Sequence, residues 1–326
     1  MANLRELVNK RLDALELPKE PRGLYDPVRY VLQGGGKRLR PVMLLTFVEA
    51  FGGDPLKALN QAIALEIYHN FTLLHDDVMD HAEIRHGRHT VHKKWNESTA
   101  ILSGDVMITL ASIYVTKELD PVIAHKVAAV FNETALKIDE GQQYDMDFEI
   151  RDIVSLAEYE EMIMLKTGAL FACAGTIAAL LGSDSSQPGF NVLFKNVAKL
   201  CYLFGVAFQL QDDLLDTFGD EKRFGKAIGG DIVNNKKTWL SITLLKSPLK
   251  KKALEIMHDV NLAPGDKIKE ITTLYNNLGL KEKLEETIEG HLKKISSLLE
   301  EIDPWLVEGG RSKIETFINA IMGRDK

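Results

Sequence analysis

The chain is short of the features that mark secreted, membrane-spanning or nucleic-acid-binding proteins. Only two cysteines, Cys173 and Cys201, occur in 326 residues, both among apolar neighbours. That leaves no disulfide framework and makes the reducing cytoplasm the expected setting. Positive charge is also short: 40 Lys and Arg stand against 47 Asp and Glu, for a net charge of −7. This argues against the basic face a nucleic-acid binder carries, so no nucleic-acid partner is expected. The longest uncharged apolar run, "GALFACAGTIAALLG" from Gly168 to Gly182, has 15 residues. A spanning helix needs about 20, so no transmembrane segment is expected. The N-terminal "MANLRELVNKRLDALEL" carries charges throughout, which argues against a signal peptide.

Proline is sparse where structure should be densest. Between Pro55 and Pro121, Pro121 and Pro188, and Pro188 and Pro248 lie three windows of roughly sixty residues without one. Each holds Ala, Leu, Ile, Glu and Lys at helical spacing. Sustained period-2 alternation is missing, so there is little reason to expect a sheet. Leu284, Ile288, Leu292, Ile295 and Leu299 recur at three- and four-residue steps and predict an amphipathic surface helix. No stretch is long or biased enough to be a linker, and no fixed-period repeat appears. The expectation is one all-α domain over residues 1–326, built of many helices.

What the chain does have is an acidic triplet, written twice. "FTLLHDDVMD" and "AFQLQDDLLD" each lead an apolar helical run into D-D-x-x-D, at Asp76, Asp77 and Asp80 and at Asp212, Asp213 and Asp216. On a helix the first and last carboxylates of each triplet lie one turn apart on one face and repel. A fold keeps that arrangement where something positive sits. Carboxylates with room left for water suit Mg²⁺, which takes octahedral oxygen coordination from one or two carboxylates plus substrate phosphate. A single copy reads equally as a solvated helix end; the pairing is the signal.

Three clusters could answer the anion such a metal would hold. "GGGKRLRP" is a glycine turn followed by Lys37, Arg38 and Arg40, whose backbone can approach an anion while the side chains clamp it. "IRHGRHTVH" puts Arg85, His86 and Arg88 after the first triplet, and "FGKAIGGDIVNNKKT" puts Lys226, Asp231, Lys236 and Lys237 after the second. Alone, each is an ordinary solvated surface. Together they describe a pocket for polyphosphate.

With these residues the chain resembles the trans-type (E) isoprenyl diphosphate synthases, the polyprenyl synthetase family. "GGGKRLRP", "LLHDDVMD", "EGQQYD", "LKTGALF", "FQLQDDLLD" and "GKAIGGDIVNNKKT" follow one another in the family's order and spacing, over most of the chain. The resemblance implies a bundle of about ten or more helices around a central cavity, the isoprenoid synthase type I fold, in a homodimer. It implies head-to-tail elongation helped by about three Mg²⁺ ions. An allylic diphosphate (dimethylallyl, geranyl or farnesyl) loses its diphosphate, isopentenyl diphosphate attacks the resulting carbocation, and a proton is then lost.

By that resemblance Asp76 and Asp80 bind metal on one side, with Asp77 in support. Asp212 binds it from the other, with Asp213 and Asp216 in support, and Gln142 and Asp145 form a further polar pair near the metals. Arg85, Lys166, Lys226 and Lys236 grip the allylic diphosphate. Thr167, Gln209 and the Lys166 carbonyl turn oxygen dipoles toward the carbocation. Lys37, Arg40 and His69 match the metal-free isopentenyl diphosphate site. One departure stands out: the family's two adjacent arginines are Arg85-His86 here, which leaves His86 or Arg88 to serve the isopentenyl group.

In the family, side chains before the first triplet form the floor that sets product length. Here Tyr68 and Phe71 are bulky and Thr72 is small. That pattern resembles a C20 floor, geranylgeranyl diphosphate, more than a C15 one, farnesyl diphosphate; products of C30 and above are not expected. A class I terpene cyclase would replace the second aspartate triplet with Asn, Ser or Thr and Glu. A non-catalytic subunit of a heteromeric synthase would have lost one triplet.

Overall fold

The computed structural model describes residues 2–219 and 228–323. It is all-α, with the ends of its helices set by local chemistry. Asn96 opens helix Glu97–Thr116 by accepting from the Thr99 amide at 2.8 Å. Ser155 and Glu158 close a capping box on Leu156–Ile163, and Pro264 sits in the first turn of Pro264–Asn277. Among the described residues the only strands form a short hairpin in which Ile84–Arg85 pairs with Arg88–His89. Its turn residues, His86 and Gly87, have φ of 51° and 71°. Both central residues are thus left-handed, as a tight hairpin turn matched to strand twist requires, and His is among the side chains that tolerate this.

The chain divides into two compact units, whose boundaries fall inside helices except at Ile302, where a helix ends. The first comprises Met1–Thr134, Cys173–Val197 and Asp303–Phe317. Its centre is Leu59–Met79, which packs against Glu97–Thr116 and Leu39–Ala50 and buries Ile63, Leu65, Ile67 and Tyr68. Gly104 permits the close crossing: a Cβ there would lie 2.2 Å from His75 Nε2. The outer side of Glu97–Thr116 stays apolar and exposed at Ile101, Leu102 and Ile113.

The second unit comprises Ala135–Ala172, Ala198–Ile302 and Ile318–Lys326. Its core gathers Phe148, Tyr159, Leu210, Trp239, Tyr275 and Leu284, with many aliphatic neighbours. The predicted amphipathic helix is Leu280–Ile302; Leu284, Ile288, Ile295 and Leu299 are buried and Leu292 is packed at the margin. Two helices cross at glycines, since a Cβ on Gly205 would stand 2.4 Å from Gly168 Cα.

The run at Gly168 to Gly182 is longer as a helix than as an uncharged string. Leu156–Ile163 continues through a π-helical turn, Met164–Gly168, into Ala169–Gly182. The 27-residue whole is one of three helices among the described residues that are long and apolar enough to cross a membrane. The others are Glu97–Thr116 and Phe190–Phe218. The apolar window of the 27-residue helix is 78% buried inside the protein, whereas that of Glu97–Thr116 is 33% buried.

Candidate functional site

In both triplets the middle aspartate is turned into its own unit while its neighbours stay in reach of solvent. Asp77 is 5% exposed, and Arg85 Nε donates to its Oδ1 at 2.7 Å. Burial raises the Asp77 pKa, against the pull of Arg85 and His92. Asp76 is half-buried and Asp80 exposed at the end of the helix. In the second unit Asp213 is 3% exposed. Tyr159 Oη and the Trp239 amide donate to its Oδ2, and Gln209 Nε2 donates to its Oδ1 at 3.2 Å. Burial and the charge of Asp231 push its carboxyl up to about 8. Asp212 and Asp216 are half-buried.

Both oxygens of Asp213 accept hydrogen bonds within the protein, which fixes the carboxylate in place. One oxygen of Asp77 is held by Arg85. Asp76 with Asp80, and Asp212 with Asp216, remain as carboxylate pairs one turn apart. Among the described residues no three His, Cys, Asp or Glu side chains converge as a ready-made cation site. Such a donor set suits Mg²⁺, which takes one or two carboxylates and completes its octahedron with water and phosphate oxygens.

The basic residues of the first unit separate into two roles. In the sequence Arg38 reads with Lys37 and Arg40 as part of an anion clamp, and the structure corrects this. Arg38 adopts a left-handed φ of 53° and is buried. Its Nη1 pairs with buried Glu66 at 2.6 Å, and its Nη2 donates to the Leu32 carbonyl at 2.8 Å. It therefore starts the helix Leu39–Ala50. Lys37 is exposed on the glycine turn and Arg40 is half-buried. Arg40 Nη1 lies 3.2 Å from His69 Nε2, and burial followed by the Arg40 charge holds the His69 pKa well below its ordinary value. The ring is thus neutral near pH 7, and Arg40 donates to it.

His86 projects from the hairpin beside a cleft of about 50 Å³ lined by Gly34, Gly35, Asp77, Arg85 and Arg88 among others. The Arg88 guanidinium stacks on Tyr30 at 3.8 Å and donates to its carbonyl at 3.3 Å. Of the residues proposed for the floor, Tyr68 is 1% exposed and meets Phe71 and Phe131 edge-on, at 5.2 and 5.3 Å. Phe71 in turn packs on His75, and Thr72 is half-buried with its hydroxyl on the His69 carbonyl.

The second unit brings Lys166, Asp145, Thr167 and Gln209 into place through the π-helical turn. Lys166 Nζ pairs with Asp145 Oδ2 at 2.5 Å, both side chains partly exposed. Thr167 Oγ1 donates to Gln209 Oε1 at 3.1 Å. The chain Thr167, Gln209, Asp213, Tyr159 then sets the orientation of the Gln209 amide. A π turn of this kind is a frequent device at functional sites because it re-aims side chains within a helix. Gly141 lets the helix Pro121–Glu149 reach it, since a Cβ there would lie 2.4 Å from the Lys166 nitrogen. Gln142 is half-buried in the same helix and Lys236 is exposed. Lys226 lies outside the described residues.

Tyr159 and Glu66 were not foreseen. Tyr159 is 54 residues from Asp213 and nothing local marks it. Glu66 did carry a signal, being a lone carboxylate in the apolar run "AIALEIYHN", where a charge needs a buried partner.

Two helix-borne aspartate triplets in an all-α scaffold, with cations on the turns that follow, define a protein built to handle diphosphates. The chain belongs to the polyprenyl synthetase family, whose model matches residues 21–277. It is 40% identical over 244 residues, 74% of each chain, to a geranylgeranyl diphosphate synthase of Methanosarcina mazei. To a geranylfarnesyl diphosphate synthase of Natronomonas pharaonis it is 36% identical over 266 residues, again 74% of each. A crystal structure of a geranylgeranyl pyrophosphate synthase superposes with a TM-score of 0.92 at 37% identity, covering 100% of this chain and 99% of that one.

Proposed function

We propose that the chain, acting as a single catalytic domain, is a short-chain trans-prenyltransferase. It condenses isopentenyl diphosphate head to tail with dimethylallyl, geranyl and farnesyl diphosphates and releases geranylgeranyl diphosphate. The observation that carries this reading is the shared build of the two triplets. Each buries and anchors its middle carboxylate and leaves the outer two less buried (Asp80 exposed; Asp76, Asp212 and Asp216 half-buried).

Those outer carboxylates would hold Mg²⁺, about three ions, which supplies electrophilic pull on the departing diphosphate. Lys166 and Lys236 bind the allylic diphosphate and neutralise charge as it develops. Asp145 orients the Lys166 ammonium. Thr167 and Gln209, locked by Asp213, present fixed dipoles to the cationic carbon. Lys37, Arg40, neutral His69 and His86 take the isopentenyl diphosphate, which does not ionise and needs no metal. Tyr68 and Phe71, with small Thr72 beside them, stop the growing chain.

The exposed Ile101, Leu102 and Ile113 support a homodimer through that helix face, which would also cover its apolar surface. Cys173 and Cys201 are buried free thiols, in keeping with a cytoplasmic protein. A terpene cyclase or non-catalytic subunit is not favoured, because both triplets are intact.

The direct test supplies purified protein with Mg²⁺, labelled isopentenyl diphosphate and each allylic starter in turn, and sizes the dephosphorylated products. A C20 alcohol is expected. A halt at C15 or a run to C25 would keep the enzyme class and move the floor. No elongation from any starter would refute the reading.

A further inference from the structure

The turn that carries Lys236 is held from several sides. Gly229 N–H donates to the Asp216 carbonyl at 2.6 Å, and Asp231 N–H donates to Asp216 Oδ2 at 3.0 Å. The one-turn helix Gly230–Val233 follows, and Lys236 N–H returns to the Asp231 carbonyl at 2.9 Å. Beyond it, Ser241 Oγ donates to the Lys236 carbonyl at 2.7 Å. The Gly230 and Ile232 carbonyls likewise accept from Asn234 and Asn235 N–H, so Val233 is the carbonyl of this helix that needs a side-chain partner. At Val233 that partner is Lys267, whose Nζ donates to the carbonyl at 3.0 Å.

Lys267 is an unusual residue for the task. It lies on Pro264–Asn277 and is only 8% exposed, whereas lysine is almost never buried without a partner. The acceptor of its hydrogen bond is a main-chain carbonyl, not a carboxylate. Burial holds its pKa below the usual lysine value. A Met or Leu would fill the same space without desolvating an ammonium, so packing does not account for the charge. Its neighbour Ile268 fixes the other end of the turn: a Cβ on Gly229 would lie 2.6 Å from the Ile268 side chain.

We infer that Lys267 is a positioning residue for the diphosphate-binding turn, securing the Val233 carbonyl and thereby the backbone from which Lys236 reaches the allylic substrate. The inference rests on the role given to Lys236 above. Lys267 touches no reacting atom in this account; it acts through residues 233–236.

The experiment is a two-residue cycle of Lys267→Met and Lys236→Ala, with separate KM values for the allylic and isopentenyl diphosphates. Lys267→Met is expected to raise the allylic KM about tenfold and leave the isopentenyl KM within about twofold. In the Lys236→Ala background it should add little, because both changes remove the same grip. Equal rises in both KM values, or full multiplication of the two effects, would overturn the inference. If Lys236→Ala itself leaves the allylic KM unchanged, the role of Lys236 fails and the inference falls with it. Lys267→Leu, which also removes the donor, carries the same test where the Met variant does not fold.

Discussion

Arg85 Nε sits 2.7 Å from Asp77 Oδ1, which ties the middle of the first triplet to the hairpin that follows it. Tyr159, Gln209 and the Trp239 amide do the same for Asp213. An acidic triplet is thus two kinds of residue, and substitution should separate them. Asp77→Ala leaves a partly buried guanidinium without its carboxylate and should cost about 2 kcal/mol of stability. Asp76→Asn removes one of the two outer charges of the triplet, half-buried beside exposed Asp80. It should leave the melting temperature in place and lower kcat/KM by about a hundredfold or more. Thermal melts beside steady-state kinetics check both; equal destabilisation by the two would refute the distinction.

Glu158 supplies a pH test outside the site. It closes the capping box with Ser155 and pairs with Arg151 at 2.7 Å, and these contacts bring its pKa down to about 2. A depressed carboxylate stabilises the fold above its unfolded pKa, and that contribution is lost as pH falls through the folded one. The melting temperatures of wild type and Glu158→Gln should therefore differ above about pH 4.5 and converge toward pH 2. A constant gap across that range would remove the charge from the explanation.

Much of this was legible in the chain, for physical reasons. Helix periodicity shows where proline is rare, and the repetition of the acidic triplet after two apolar helical runs marks the candidate site where one copy alone would not. Tertiary partners were less visible. Arg38 reads as one of three cations on a glycine turn, and only the buried Glu66, 28 residues away, makes it structural. The hairpin at 84–89 is too short for alternation to register. The π turn at Met164–Gly168 and its close contact with Gly141 leave no mark in composition.

That contact predicts a sharp response to a single methyl group. In Gly141→Ala the new Cβ would meet the Lys166 nitrogen and Cα at 2.4 and 2.8 Å. Backbone cannot swing aside as a flexible side chain does, so the π turn must move. The expected cost is about 1–3 kcal/mol, with a larger fractional loss of kcat than of isopentenyl binding. Calorimetry with the kinetics of each substrate checks it.

The apolar face of Glu97–Thr116 should respond to charge. Leu102 and Ile113 are each 56% exposed and lie three turns apart on the same side. In Leu102→Glu/Ile113→Glu a dimer formed through this face would dissociate, while a monomer would be indifferent. Sedimentation at fixed protein concentration reads the result. An unchanged dimer would place the interface elsewhere.

Phe71 gives the test of product length. Its ring is 7% exposed, edge-on to Tyr68 at 5.2 Å and against His75 at 4.8 Å. Two roles predict different outcomes for Phe71→Ala. As core alone, the ring's loss would cost about 3 kcal/mol and leave product length unchanged. As a floor, its loss would also open space below the growing chain and shift the main product from C20 to C25 or longer. Thr72→Phe works in the opposite direction, since filling the space beside Phe71 should raise the floor and stop the chain at C15. Sizing products from both variants separates the roles, because destabilisation lowers the amount of product without changing its length. Opposite shifts in length would assign the floor to this turn of the helix; unaltered C20 from both would assign Phe71 and Tyr68 to the core.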